Sequence, residues 1–251
     1  MKGVLTMKGQ EYLQIIRDML ERLEQTQMGN IQKGAGIIAD AIIEGNNLFA
    51  SGVFHSALAV QDIFYRGGGL SLLNIIMLPG LASLEIHPAE TMVDLERVEG
   101  IGNVVVKSSP AKAGDVIIVV STAGRNAAPI DVAVEAKAQG LTVIAVTSMA
   151  YTNSVTSRHS NGKKLHEIAD LVIDNLTAPG DAILELNDLP KFCPTSGIGS
   201  VAVLQTLMAE TIETLEARGF TPPINKPGNV DGGMEYNLQN MAKFKDRLFY
   251  L

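Results

Sequence analysis

The chain has 251 residues, 46% of them hydrophobic, which is enough for one α/β domain with a substantial core. Twenty basic against 27 acidic residues leave a net charge of −7 with no basic run to track a nucleic-acid backbone, and no apolar run is long enough for a membrane helix. The single cysteine, Cys193, excludes an intrachain disulfide framework and a cysteine metal cluster; with no apolar h-region near the start, a cytoplasmic protein is expected, with neither nucleic acid nor membrane as partner.

In chain order, Tyr12, Ile15, Ile16, Met19, Leu20 and Leu23 recur every three or four residues between charged ones, which predicts an amphipathic helix over 8–28. A second helix is predicted over 31–44, ending at Gly45. Residues 1–46 are therefore expected to form a helical segment that packs in a homo-oligomer. A short strand over 48–50 leads into the loop Ser51-Gly52-Val53-Phe54-His55-Ser56 and a helix over 57–65. Gly67, Gly68 and Gly69 stop that helix before a strand over 72–78. A loop follows with Glu85 and His87, then a helix over 89–98 with Glu90, Glu96 and Arg97, and a strand-like piece at 104–107.

The stretch Gly114 to Ser148 carries the clearest pattern: an apolar strand over 115–120, the polar loop Ser121 to Asn126, an Ala-rich helix to Gln139, and a strand over 141–147. One such βαβ unit implies a parallel sheet with helices on both faces. The segment 151–164 is long and polar, as functional loops are. A last strand over 170–174, a turn at Pro179 to Asp181, a helix over 195–218 and a tail from Phe220 complete the chain. The tail, 220–251, is expected to dock on the 47–219 domain through a short helix holding Met241, Phe244 and Leu248.

Two of these strands end in hydroxyl-rich loops that open helices. In the order 2-1-3-4-5 they are neighbours at the switch point, where open α/β sheets bind ligands. Helix N-termini offer unpaired N–H groups and the positive end of a dipole, so Ser121, Thr122, Gly124 and Asn126 suit an anion, most naturally a phosphate; helix capping alone would use the same residue types. Arg158 in the long loop is placed to recruit such an anion. His55, Asp62, Glu90 and His159 are the competing acid–base candidates, against the alternatives of a loop-orienting histidine and solvated carboxylates. Neither a P-loop nor a GxGxxG opening a helix after a strand is present, HExxH is missing, and no cofactor or metal is expected.

The motifs Ser51-Gly-Val-Phe-His-Ser56, Ser121-Thr-Ala-Gly-Arg-Asn126 and Thr147-Ser148, each closing a strand, resemble the sugar isomerase (SIS) domain family. The similarity extends through Glu96-Arg97, Ser157-Arg-His-Ser160, Gly180-Asp-Ala182, Pro194-Thr-Ser196 and Asn229-Val-Asp-Gly-Gly233, and is nearest to a bacterial subgroup related to phosphoheptose isomerases. The resemblance implies a three-layer α/β/α sandwich around a five-stranded parallel sheet. It also implies a homodimer or homotetramer with active sites near subunit interfaces, and a sugar phosphate whose contacts are Ser51 or Ser56 and Ser121, Thr122 and Asn126; Gly52, Gly124, Arg125, Ser148 and Arg158 complete the expected binding set. Aldose–ketose isomerisation is the implied activity; an amino-sugar phosphate etherase and a non-catalytic phosphosugar sensor are the alternatives. The chain departs from the family pattern at Phe54, where a small residue is usual, at Gln61-Asp62, where acids stand, and at Ala123, which replaces a second serine.

Overall fold

The computed structural model describes residues 7–82 and 88–250. Its centre is β3 (Val116–Val120), whose five residues are all buried. Val116, Ile118 and Val120 enter one core while Ile117 and Val119 enter another. A strand with period-two side chains and helices on both faces has to be apolar throughout, and that is why this run carries no alternation.

Around it stand β1 (Leu48–Gly52), β2 (Leu73–Ile75), β4 (Thr142–Thr147) and β5 (Leu171–Asp174), forming a five-stranded parallel sheet of order β2-β1-β3-β4-β5. Leu48 pairs with Val116 and Gly52 with Val120, so β1 and β3 end at the same level. On one face lie α1 (Lys8–Ile43), α2 (His55–Ile63) and α7 (Ser196–Ala217), contributing Ile31, Ile38, Val60, Leu204 and Leu207 to the core. On the other lie α3 (Glu90–Leu95), α4 (Ile101–Lys107) and α5 (Ala127–Ala138), contributing Met92, Val106, Val132 and Ala136. The expected three-layer sandwich and strand order are therefore present.

Several elements differ from expectation. The helices predicted over 8–28 and 31–44 are one continuous α1, because Ile31, Gly34, Ala35 and Ile38 beyond the supposed break are buried on the sheet layer. Gly34 sits tightly against that layer, since a Cβ there would lie 3.1 Å from Leu207 Cδ1 and press the leucine aside. The piece 104–107 is the end of α4, not a strand. Gly102 lets α4 approach α5 so closely that a Cβ would meet Ala128 O at 2.5 Å. The second strand is shorter than 72–78, the predicted long loop opens with α6 (Met149–Asn153), and an antiparallel pair, β6 (Ala182–Leu184) and β7 (Phe192–Pro194), follows β5. A final helix, α8 (Gly233–Ala242), lies in the tail. Glu85 and His87 fall outside the described residues.

At the amino ends of the strands a polar network ties the tail to the sheet. Asp115, fully buried, accepts hydrogen bonds from the backbone N–H of Asn47 (2.8 Å) and Lys112 (2.9 Å) and from Asn47 Nδ2 (3.2 Å). Arg247 donates to the carbonyls of Ile42 and Asn46; burial lowers its pKa while Asp115 opposes that shift. Asn74 accepts from Phe249 N at 2.9 Å, and Tyr250 Oη donates to Ser71 O at 2.7 Å.

Candidate functional site

The opposite edge of the sheet opens as a crevice of about 190 Å³. Its walls come from the β1–α2 turn (Val53 to Ser56), the β3–α5 loop (Ser121 to Ala123 and Asn126), Glu96 after α3, Tyr151 of α6, and Asp181 and Ser196 before and at the start of α7. The amino-terminal ends of α2, α5 and α7 thus meet here, and with them the positive ends of three helix dipoles.

The two βα loops are held differently. In the first, the chain turns from strand to helix at Phe54, with φ 55° and ψ −128°, a conformation a non-glycine residue adopts at a cost. The turn is so tight that a Cβ on Gly52 would lie 2.8 Å from Ser56 O, so glycine is required there for close approach. In the second, Gly124 takes the positive φ (60°), and carbonyls do the anchoring: Thr122 O accepts from Ser148 N (2.9 Å) and Thr147 Oγ1 (3.2 Å), and Gly124 O from Leu165 N (2.9 Å). This leaves the hydroxyls of Ser56, Ser121 and Thr122 on the crevice wall with no hydrogen-bond partner among the described residues.

Glu96 is the carboxyl that the site adds to expectation. Burial raises its pKa above the ordinary glutamate value, a hydrogen bond from Asn126 and the charges of Arg158 and Arg97 pulling the other way. Its own carbonyl accepts from Ala128 N at 3.0 Å, answering one of the open N–H groups of α5. Asn126, at the helix start, spends its side chain outward, accepting from Arg158 Nη1 at 2.9 Å. Burial, then repulsion from Arg125 and Arg97, lowers the Arg158 pKa. Asp181 accepts from Thr195 N and Ser196 N, both at 2.8 Å, and from Ser196 Oγ at 2.6 Å, so it caps α7.

Of the residues expected from sequence, Ser56, Ser121, Thr122, Asn126 and His55 meet in the crevice. Arg125 and Arg158 stand behind Asn126, joined through Arg158 N and Arg125 O at 2.8 Å. Ser51 and Gly52 are buried in β1, and Gly124 is buried beneath its loop. Ser148 is also buried, its hydroxyl donating to Thr177 O (2.5 Å) and accepting from Tyr151 N (3.0 Å). Asp62 lies in an adjoining, largely apolar hollow between α2 and α7, where it accepts from Arg66 Nη1 (2.6 Å) and Gln205 Nε2 (2.8 Å). Glu90 is exposed at the start of α3 and lines no part of the crevice.

His159 also lies outside the crevice lining: its Nε2 is 3.0 Å from Oδ1 of buried Asp131, which also accepts from Gly100 N at 2.6 Å. His159 Nδ1 accepts from Asn161 N at 3.1 Å, so the ring N–H faces the aspartate and the pair fastens the 155–164 loop to α5. Glu96, Asp181, Ser196 and Tyr151 were not foreseen as site residues. Glu96, Asp181 and Ser196 do sit in family-like motifs, and that is the one signal the sequence carries for them. Among the described residues no group of three His, Cys, Asp or Glu side chains is placed to hold a metal ion, and no helix is long and apolar enough to cross a membrane.

Comparison with known proteins matches residues 11–148 to the family model described as SIS domain. The chain is 41% identical over 241 residues to the UPF0309 protein SCO4393 of Streptomyces coelicolor, covering 96% of each chain. It is 37% identical to the UPF0309 protein lmo0025 of Listeria monocytogenes, covering 94% of this chain and 96% of the relative. Among solved structures, phosphoheptose isomerase GmhA from Neisseria gonorrhoeae aligns with a TM-score of 0.55 at 16% identity, over 84% of this chain and 97% of that one. The Vibrio vulnificus NanR protein complexed with ManNAc-6P aligns with a TM-score of 0.51 at 14% identity, over 98% and 72%. At these identities the structural matches speak for the fold.

Proposed function

The chain belongs to the SIS-domain family, and from that premise we propose that it binds a sugar phosphate in the crevice and isomerises it between aldose and ketose forms. One observation carries this: three uncommitted hydroxyls, those of Ser56, Ser121 and Thr122, share a crevice with a carboxyl whose pKa burial has raised. The phosphate sits on the hydroxyls at the starts of α2 and α5, where open N–H groups and the dipoles favour a dianion. Glu96 moves a proton between adjacent carbons through an enediol, a task that suits a base closer to neutrality than an ordinary carboxylate. His55, exposed at the first position of α2, serves the sugar oxygens. The likeness to phosphoheptose isomerase and to the NanR protein solved with ManNAc-6P supports this ligand class.

A non-catalytic sensor is the second reading. The placement of Asp62 in an ion pair and of His159 in a hydrogen bond to Asp131, both outside the crevice lining, favours it, since it leaves the site with fewer acid–base groups than the sequence suggests. Incubation with a panel of sugar phosphates in deuterated water separates the two. An isomerase incorporates deuterium at C1 or C2, whereas a sensor gives a melting shift and no exchange. Ser56→Ala and Ser121→Ala are each expected to weaken binding about tenfold, the worth of a hydrogen bond to a charged oxygen, with stability within about 0.5 kcal/mol of the parent. Unchanged affinity in both variants would remove the phosphate seat.

A further inference from the structure

We propose that Phe54 is a specificity-determining residue: its ring is the wall on which the closed ring of a sugar phosphate lies, so the site selects the cyclic over the open-chain form of its ligand. This rests on the phosphate seat assigned above and adds to it: the ligand is taken up closed, and its ring opens on the site before the enediol step.

The argument starts from the backbone. With φ 55° and ψ −128°, Phe54 holds a conformation that glycine adopts freely and a phenylalanine adopts at a penalty of about 1–3 kcal/mol. A strained residue persists where something else demands its side chain. Core packing does not account for it, because Phe54 is only half-buried and touches the second hydrophobic core from its margin. The turn itself supplies the other half of the argument. A strand that passes into a helix through one strained residue thrusts that residue's side chain out at the carboxyl edge of the sheet, the geometry by which a sharp strand-to-helix elbow displays a functional group. Here the displayed group is an aromatic ring, and it lines the crevice together with Ser121, Thr122 and Glu96.

The ring also meets the His55 imidazole edge to face, with centroids 4.4 Å apart and planes at 87°, so it fixes the one described histidine on the crevice wall. An apolar plate set among hydrogen-bonding groups matches a sugar in its closed form, which has a C–H face and a polar rim; the open chain has no such face.

Calorimetric binding of a panel of hexose 6-phosphates and the corresponding hexitol 6-phosphates tests this, on the parent and on Phe54→Gly, Phe54→Ala and Phe54→Tyr. For hexose phosphates, the Gly and Ala variants are expected to bind about tenfold more weakly and the Tyr variant within about twofold of the parent. Hexitol phosphates are expected to bind all four proteins within about twofold. Phe54→Gly should also melt above Phe54→Ala, since only glycine relieves the turn. The proposal is overturned by undiminished hexose phosphate affinity in Phe54→Ala, by equal loss of both ligand types, or by Phe54→Gly melting no higher than Phe54→Ala. A parent protein that binds neither ligand type removes the phosphate seat itself, and this inference with it.

Discussion

Both edges of the central sheet carry polar side chains, and the two sets are put to opposite uses. At the amino edge, Asp115 and Asn47 bond to each other while Asn74 and Arg247 bond to the backbone, drawing the end of the chain onto the sheet and leaving Asn47 Oδ1 and Arg247 Nε as the network's unpartnered atoms among the described residues. At the carboxyl edge, the residues Ser56, Ser121 and Thr122 line a crevice with uncommitted hydroxyls, burial raises the pKa of a carboxyl, and the backbone at Phe54 is strained. Polar groups that satisfy each other hold a fold together; polar groups left waiting are a cost the fold bears for a ligand.

The contrast is broken most directly at Asp115. Asp115→Ala strips the acceptor from three donors and removes a carboxylate charge that opposes the desolvation of Arg247, and is expected to cost about 3–5 kcal/mol in chemical denaturation, chiefly from donors left unsatisfied. A loss no greater than that of Ser121→Ala would erase the distinction between the two edges.

Tyr250→Phe is a milder cut at the same edge, worth about 1 kcal/mol for the bond to Ser71 O. Its alkaline behaviour is sharper. Burial, with Tyr65 adding to it, pushes the Tyr250 pKa up to about 12, while an unfolded tyrosine ionises near 10, at about its reference value. The native state therefore keeps a proton that the unfolded chain gives up. Stability from this group is whole below about pH 10 and falls as pH rises towards 12. Thermal melts across that window should show a steeper fall in the parent than in Tyr250→Phe.

Glu96→Gln gives the smallest stability effect, and at the other edge. A carboxyl with a raised folded pKa binds more protons folded than unfolded, so its contribution weakens as pH rises through the ordinary glutamate value to the folded one. The glutamine variant, lacking that penalty, should melt at or slightly above the parent at pH 7–8 and lose the advantage near pH 4. Deuterium exchange into a bound sugar phosphate should stop. A variant that melts well below the parent at neutral pH would make Glu96 a structural residue.

The sheet was legible because its evidence is local: five apolar runs at α/β spacing, each closed by a turn residue, allow few arrangements. What misled was also local. Val104-Val105-Val106 has the composition of a strand, yet Gly100 at φ 93° starts a helix there and Gly102 lets it lie against α5. Gly29 and Asn30 look like a helix end, but burial of Ile31, Ala35 and Ile38 outweighs the roughly 1 kcal/mol that a mid-helix glycine costs. In the site, the hydroxyl loops follow strands and could be found from that alone. Glu96 could not, because its raised pKa depends on burial set by elements distant in sequence, α5 and the 155–164 loop. His159 illustrates the converse: a histidine in a polar loop invited a catalytic role, and Asp131, 28 positions away, holds it instead.

Asp181 gives the crevice a direction. Its carboxylate already answers the start of α7, so one of the three helix ends that converge there is neutralised before anything arrives. On the function proposed above, a doubly negative group is turned away from that side and drawn towards the other two, while alcohols are welcome beside the aspartate. Charge would then tell head from tail of the proposed guest before the Phe54 ring meets it, and with that set which carbons come to rest beside Glu96.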